Sequence, residues 1–258
     1  MGRFRFKEMN REFTLYKPKG LPSNSPLVVF LHWYTGSASE VLIHVPFNDL
    51  ADKYQFGVLY PEGLLDKYNN KHWNANLEIS DFDDIGFISE LTKSIQEEHG
   101  FSKENTFATG ISNGGFMCYT LAMNTKDIFK AYAPVSGFMS LYDWENRTFS
   151  NPINLIHICG LADDVVPQDG SGKIEDGWGG APHIDIITKY WADVAKLEKY
   201  NTKQLTTNTS KESYTSAHSK YEVQCIKIKG HGHDYPGPEH DVDAGELMWN
   251  FFDKFITK

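Results

Sequence analysis

Three short segments of this sequence carry residue types that together could perform nucleophilic catalysis. The first, Gly110–Gly114, has the pattern Gly-x-Ser-x-Gly around Ser112. In this pattern the serine lies on a strained turn between a strand and a helix, with its hydroxyl at the helix N-terminus. The helix dipole and the free N–H groups favour negative charge there. Glycine is expected at both ends because side chains at 110 and 114 would collide. Alone, the pattern also fits a Gly/Ser-rich turn that only begins a helix.

The other two segments supply the partners that a nucleophilic serine needs. A general base must take the serine proton, and an acidic residue must orient that base. Asp163 and Asp164 follow one apolar segment, and His231 and His233 follow a later one. Because both segments are predicted strands of one sheet, these loops should meet at the carboxyl edge, where clefts form. The order of serine, acid and histidine along the chain therefore predicts a catalytic triad.

Alternating strands and helices are predicted to position these loops, which indicates an α/β class with a mostly parallel sheet. Continuous apolar runs such as Pro26–His32 and Pro152–Ile158 are typical of strands buried on both faces. Phe4, Phe6, Phe13 and Leu15 alternate with polar residues and predict an antiparallel pair at the N-terminus.

Helices are expected over 47–54, 83–98 and 183–198, after Ser112 and at the C-terminus. The Ser/Thr-rich segment 201–220 is expected to be a polar surface segment. No repeat or linker divides the chain, so residues 1–258 are predicted to form a single domain.

These motifs carry a resemblance to a known family. Gly110–Gly115, the Gly-x-Ala-Asp-x-Val-Val-Pro segment 160–167 and Gly232–Gly237 resemble the polyhydroxybutyrate depolymerase and feruloyl esterase group of carbohydrate esterase family one. Trp73-Asn74 and the segment 83–87 also match that group. The resemblance implies the α/β-hydrolase fold, a serine esterase acting through an acyl-enzyme without a cofactor, and an ester substrate. It favours Asp163 over Asp164 as the acid and His233 over His231 as the base.

The resemblance also implies an oxyanion hole. One donor is the N–H of Asn113, directly after the nucleophile, and the other is an N–H of the loop after His32. The pattern match assigns this second donor to Tyr34, with Trp33 as the alternative. Trp33 stands where the group usually has glycine, which puts the shape of the pocket in question.

Four aromatic residues are predicted to bind a feruloyl or sugar group: Trp33, Trp73, Trp178 and Tyr235. Each could instead belong to the hydrophobic core. His32 is expected to support its loop by hydrogen bonding, and no histidine spacing suggests a metal site. The cysteines, Cys118, Cys159 and Cys225, are expected to be small buried residues.

Composition limits the remaining functions. A net charge of −9 argues against nucleic acid as a partner, and no apolar run is long enough to span a bilayer.

The resemblance implies removal of feruloyl or acetyl groups from plant cell-wall polysaccharide, with polyhydroxyalkanoate depolymerisation as the alternative. A serine peptidase and a non-catalytic binding protein of the same fold remain open. A secreted or cell-surface location is expected, with any signal absent from this sequence; the alternative is cytoplasmic. Oligomeric state is not predicted.

Overall fold

The structure is a computed structural model that describes residues 1–125, 127–147 and 151–257. Its strands are β1 (Gly2–Phe6), β2 (Met9–Tyr16), β3 (Leu27–Leu31), β4 (Gly57–Pro61), β5 (Leu64–Leu65), β6 (Lys71–His72), β7 (Thr106–Ile111), β8 (Ala131–Val135), β9 (Leu155–Gly160), β10 (Lys199–Gln204), β11 (Thr209–Thr215) and β12 (Val223–Ile228). Its helices are α1 (Ala38–His44), α2 (Phe47–Tyr54), α3 (Asp84–His99), α4 (Asn113–Asn124), α5 (Leu141–Glu145), α6 (Ile184–Val194) and α7 (Ala244–Phe252), the last followed by a 3-10 turn, Asp253–Phe255.

Ten of these strands form one sheet in the order β1-β2-β4-β3-β7-β8-β9-β12-β11-β10. The six strands from β4 to β12 in this order run parallel, and an antiparallel pair extends the sheet at each edge. Every residue of β3, β7 and β9 is buried, as the continuous apolar runs predict. Parallel strands place their carboxyl ends at one edge, so the loops after β3, β7, β9 and β12 lie together there.

Helices cover both faces of the sheet. One apolar cluster joins α3, α4 and α6 to one face, with Phe87, Met117 and Ile187 among its buried residues. A second cluster joins α1, α2 and α7 to the other face and includes Phe47 and Met248. The mixed, mostly parallel sheet between two helical layers is the predicted α/β-hydrolase architecture.

The polar segment 201–220 contains strands that were not predicted. Residues of this polar segment form most of β10 and all of β11, an antiparallel pair that continues the sheet from β12. All six residues of β10 are exposed, so the strand lacks the alternation of apolar and polar residues that signals a half-buried strand. Ser, Thr and Tyr pair well across strands even without burial, and this explains the difference.

The cysteines agree with their prediction, since Cys118, Cys159 and Cys225 are all free and buried. Two short helices, α1 and α5, were not predicted. Each has a serine N-cap, Ser37 and Ser140, whose side chain accepts a hydrogen bond from the backbone of the first turn.

Candidate active site

Ser112 lies on the turn between β7 and α4 with an unusual backbone conformation. Its φ and ψ are 53° and −117°, a region that non-glycine residues adopt only when the surroundings enforce it. A Cβ at Gly110 would lie 2.6 Å from the backbone of Gly114, and a Cβ at Gly114 would lie 2.3 Å from the carbonyl oxygen of Leu31. The two glycines therefore allow strand, helix and the β3 loop to approach closely, as the sequence predicts.

Three loops bring together the side chains of Ser112, His233 and Asp163. The Nε2 atom of His233 lies 2.9 Å from Oγ of Ser112, and its Nδ1 atom lies 2.7 Å from Oδ2 of Asp163. The other oxygen of Asp163 accepts hydrogen bonds from the N–H groups of Val165 (3.0 Å) and Val166 (2.7 Å). The carboxylate is fully buried, while the ring of His233 is 17% exposed. The arrangement places an acceptor on the serine hydroxyl and a fixed negative charge behind the histidine.

The rival acid and base lie outside this chain of hydrogen bonds. Asp164 is exposed, and it is Asp163 that contacts His233. The ring of His231 lies against His240 and Asp234 instead. The carbonyl oxygen of His231 accepts from the N–H of Ala162 at 2.9 Å, so its backbone holds the acid loop and the base loop together.

His32 supports the loop that follows β3. Its Nδ1 atom lies 2.7 Å from the carbonyl oxygen of Trp33, and its Nε2 atom accepts the N–H of Gly63 at 2.9 Å. These contacts assign the proton to Nδ1 and make His32 a neutral donor and acceptor. Complete burial lowers its pKa to about 4. His32 therefore serves as a structural residue in this loop.

The predicted oxyanion donors face no acceptor in the part of the chain that the structure describes. The backbone N–H groups of Asn113, Trp33 and Tyr34 form no hydrogen bond there. Asn113 begins α4, where the first N–H groups of a helix have no partner within the helix. The choice between Trp33 and Tyr34 as second donor stays a prediction.

The prediction that Trp73 lines the substrate pocket is wrong. Its side chain is completely buried, and its indole N–H donates to the carbonyl oxygen of His32 at 3.0 Å. The ring packs against that of His32, with centroids 4.8 Å apart. Its backbone forms two hydrogen bonds with the side-chain amide of Asn113. Trp73 thus acts as core support behind the active-site loops.

Tyr235 also does not lie where the sequence predicts. It lines a groove on the α2 and α7 side with Pro46, Leu50 and Gly245, on the face of the sheet that also holds Phe30. Its hydroxyl would lie 3.2 Å from a Cβ at Gly245, so the ring reaches α7. A single-residue motif match cannot show that direction.

Trp33 is half-buried and covers Gly36, where a Cβ would lie 2.7 Å from the indole. A side chain at 36 would therefore displace this ring from the loop surface. That the exposed part of Trp33 binds substrate stays a prediction.

Trp178 belongs to an aromatic group that sequence reasoning identified only in part. Its ring lies edge-on to Phe116, at 5.0 Å between centroids, and to Tyr34, at 5.8 Å. The N–H of Phe116 donates to the carbonyl oxygen of Ser112, so Phe116, which the other two rings contact directly or through Trp178, lies one helical turn after the nucleophile. Trp178 and Tyr34 are both half-buried and therefore open to solvent on one side.

Asp66 fixes this aromatic group and was not predicted. Its Oδ2 atom accepts from the hydroxyl of Tyr34 at 2.6 Å, and Asn70 donates to the same hydroxyl at 2.9 Å. Burial and the neighbouring carboxylate raise the pKa of Tyr34, so the phenol stays protonated as a donor. Phe116 could have been found from its position, one helical turn after Ser112. Asp66 lies in an irregular segment that offers no periodic signal.

The sheet, its helices and the Ser112–His233–Asp163 geometry define the class of α/β-hydrolases. The solved acetyl xylan esterase from Aspergillus awamori has this fold, with a TM-score of 0.68 and 19% identity over 94% of this chain and 93% of its own. The family model for esterase PHB depolymerase matches residues 11–165. The chain therefore belongs to the esterase PHB depolymerase family, and it is a carboxylic ester hydrolase.

Two curated relatives illustrate the range of this family. Feruloyl esterase C of Emericella nidulans is 31% identical over 62% of this chain and 57% of its own length. Poly(3-hydroxyalkanoate) depolymerase C of Paucimonas lemoignei is 28% identical over 50% of this chain and 31% of its own. Within the described ranges, no helix combines the length and the apolar character needed to cross a bilayer.

Proposed function

We propose that Ser112 is the nucleophile of this ester hydrolase, with His233 as general base and Asp163 as the residue that orients it. The observation that carries the proposal is the continuous chain of hydrogen bonds, 2.9 Å from Ser112 to His233 and 2.7 Å from His233 to Asp163. Both lengths lie within the reach that proton transfer requires. Residues 1–258 would then act as one catalytic domain, since strands from both ends of the chain share the sheet.

The reaction proceeds in two steps. Nε2 of His233 takes the hydroxyl proton while Oγ of Ser112 forms a bond to the ester carbonyl carbon, and the proton then passes to the leaving alcohol. The N–H of Asn113 and an N–H of Trp33 or Tyr34 stabilise the oxyanion. Water then attacks the acyl-enzyme, His233 takes its proton, and the bond to Ser112 breaks. The acid product leaves and the serine regains its proton.

We propose a feruloyl ester of plant cell-wall polysaccharide as the substrate, with an acetyl ester of xylan as the nearest variant. The half-buried rings of Trp178 and Tyr34 support a flat aromatic acyl group, because offset and edge-on aromatic contacts stabilise such a ligand and Trp178 packs on Phe116, one helical turn after Ser112. The relative named as a feruloyl esterase supports the same class. An enzyme of this kind would work outside the cell or on its surface, where the polysaccharide is found.

A polyhydroxyalkanoate depolymerase is the second candidate, and a specific surface favours it. Leu161 and Val165 flank Asp163 on the acid loop, and their side chains are 54% and 65% exposed. Ile174, in the glycine-rich loop that also holds Trp178, is 63% exposed. Apolar residues at the rim of a site suit an insoluble polyester surface better than a hydrated sugar chain.

The nucleophile is tested with a serine-directed phosphonylating reagent and mass spectrometry. One adduct on the tryptic peptide that contains Ser112 is expected, and Ser112→Ala should remove both the adduct and the turnover of a short aryl ester. Loss of the nucleophile costs on the order of 10⁶-fold in kcat. The exposed Ser39→Ala serves as the matched control. An unmodified Ser112 in folded protein would contradict the proposal.

The substrate is tested by release assays on methyl ferulate, acetylated xylan and hydroxybutyrate oligomers side by side. We expect methyl ferulate to give the highest kcat/KM and Trp178→Ala to raise its KM while leaving kcat on a small acetyl ester unchanged. Tyr200→Ala, an exposed aromatic residue on β10, is the control. Preference for the hydroxybutyrate oligomers, with loss of activity in Leu161→Ser, would favour the second candidate instead.

A further inference from the structure

Two histidines and an aspartate meet on the loop between β12 and α7, beside the active site but outside its hydrogen bonds. Side-chain ligand atoms of His231, Asp234 and His240 all lie within 4.8 Å of one another. The rings of the two histidines lie perpendicular, at 4.9 Å between centroids, and Nε2 of His240 lies 3.9 Å from Oδ2 of Asp234. The sequence predicts no metal here because the spacing of His231, Asp234 and His240 matches no familiar metal-binding motif; the fold creates the proximity.

The Nε2 atom of His231 makes this cluster more than a group of surface charges. The side chain of His231 is only 8% exposed, and this nitrogen is buried. It lies 2.5 Å from Oδ1 of Asp234, yet among the described residues no partner meets it in hydrogen-bond geometry. The carboxylate of Asp234 therefore contacts this buried nitrogen without forming a hydrogen bond of normal geometry, and a buried polar atom in that situation is costly unless a ligand satisfies it.

We propose that His231, Asp234 and His240 bind a divalent transition cation of the zinc class. Two imidazoles and one carboxylate are ligands that zinc prefers, whereas calcium and magnesium prefer oxygen ligands alone. Three protein ligands leave one tetrahedral position for water. The site is distinct from the Ser112–His233–Asp163 triad and does not depend on the substrate proposed above.

Small movements of exposed side chains would complete the coordination. Ligands at about 2.0–2.2 Å from a tetrahedral zinc ion lie roughly 3.3 Å apart, so Oδ1 of Asp234 must move outward by less than about 1 Å. This carboxylate is 59% exposed and His240 is 30% exposed, which leaves both free to adjust. His231 is the buried anchor of the site.

The proton on His240 must also move. Its Nδ1 atom now accepts the N–H of Gly237 at 3.1 Å, which leaves the proton on Nε2. Cation binding at Nε2 shifts that proton to Nδ1, and Oε1 of Glu239 lies 3.2 Å away to accept it. A carboxylate behind a metal-bound histidine is a common outer partner, and it compensates for the lost contact with Gly237.

The cation would stiffen the loop that carries His233. The carbonyl oxygen of His231 already accepts the N–H of Ala162 in the acid loop. The carbonyl oxygen of Asp234 accepts the hydroxyl of Ser136 at 3.3 Å. A cation bound by His231, Asp234 and His240 would connect this loop to the segment before α7. The stability of the folded protein should therefore rise with zinc concentration.

The experiment is zinc competition against a chromogenic chelator, with ZnCl₂ as the probe, combined with melting curves with and without zinc. The wild-type protein should bind one zinc ion and melt at a higher temperature in its presence. His240→Gln and Asp234→Asn should each weaken binding by at least about tenfold, since even loss of an outer partner has an effect of that size. Both side chains are partly exposed, so both variants should fold, which their melting without metal checks.

Two matched controls make the result specific. His233→Ala removes the catalytic imidazole and His218→Gln removes an exposed histidine elsewhere, and both should keep the zinc affinity. The proposal is wrong if no zinc binds, if His240→Gln and Asp234→Asn bind as well as wild type, or if only His233→Ala loses binding. Calcium binding as tight as that of zinc would overturn the assigned class of cation.

Discussion

Asn113 and Trp73 hold each other through the side-chain amide of one residue and the backbone of the other. Oδ1 of Asn113 accepts the N–H of Trp73 at 2.7 Å, and Nδ2 donates to the carbonyl oxygen of Trp73 at 3.0 Å. Both residues are completely buried. Because Asn113 directly follows the nucleophile, this pair fixes the residue whose backbone N–H is proposed to stabilise the oxyanion.

Asn113→Ala should therefore lower both stability and activity. It leaves the backbone N–H of Trp73 buried without a partner, whereas the carbonyl of Trp73 still accepts the N–H of Ala75 at 3.0 Å. The unpaired N–H costs about 1–3 kcal/mol in the free energy of unfolding. Urea unfolding and kcat on a short aryl ester measure the two effects. Asn124→Ala is the control, since it removes one hydrogen bond at the end of α4. Equal free energies of unfolding for the two variants would show that the Asn113–Trp73 hydrogen bonds stabilise the fold no more than the single bond of Asn124.

Gly114→Ala and Gly232→Ala should differ sharply although both positions are close to triad residues. A methyl group at 114 would meet the carbonyl oxygens of Leu31 and His32 at 2.3 and 2.8 Å, whereas one at 232 meets nothing within 4 Å. We expect a loss of about 3 kcal/mol or more for Gly114→Ala and an unchanged urea midpoint for Gly232→Ala. A normal midpoint for Gly114→Ala would refute the close approach of α4 to the β3 loop.

Asp163→Asn tests the orienting role of the acid against its neighbour Asp164. The amide can present an N–H to Nδ1 of His233 and so stabilise the wrong tautomer, which lowers kcat by about 10⁴-fold in triads of this type. Asp164→Asn, at an exposed position, should leave kcat unchanged. Measurement of kcat on a short aryl ester for both purified variants tests this. A large loss of kcat in Asp164→Asn alone would show that Asp164, and not Asp163, orients His233.

His32 predicts a specific loss of stability in mild acid. Burial lowers its pKa from 6.5 to about 4 in the folded protein, so between these values the unfolded chain binds the proton and the folded protein does not. The stabilisation is complete above pH 6.5 and is lost as the pH falls towards 4. At pH 5 the contribution of His32 to the loss is about 2 kcal/mol relative to neutral pH.

Urea unfolding at pH 7.5 and pH 5.0 measures this effect. His32→Gln should be less stable at pH 7.5, because its amide cannot reproduce both contacts of the ring. Its further loss between the two pH values should be smaller than that of wild type. The same difference in both proteins would exclude His32 as the source.

Order along the chain allowed the triad to be predicted, because each member lies directly after a buried strand and parallel strands end at one edge. Ser112, Asp163 and His233 therefore depend on local motifs and on a general topological rule. The sequence does not distinguish the rival residues. His231 and His233 lie on the same loop, and only the direction of their rings decides which one contacts Ser112.

Aromatic residues near the motifs were harder to interpret. Trp73 and Tyr235 lie in segments that match the family's motifs, yet one belongs to the core and the other lines a groove at α7. Sequence distance does not report which side of the backbone a ring occupies. The contacts of Trp178 with Tyr34 and of Tyr34 with Asp66 cross long stretches of chain without any periodic signal.

The open edge of the sheet has a consequence for crowded solutions of this protein. All residues of β10 are exposed, and its outer backbone groups could pair with a strand from another copy. Lys199 and Lys203 lie on this strand, so two such edges brought together would oppose like charges. The repulsion between these lysines therefore opposes strand pairing between copies. Their replacement by threonine would remove that repulsion and make β10 a site of edge-to-edge aggregation.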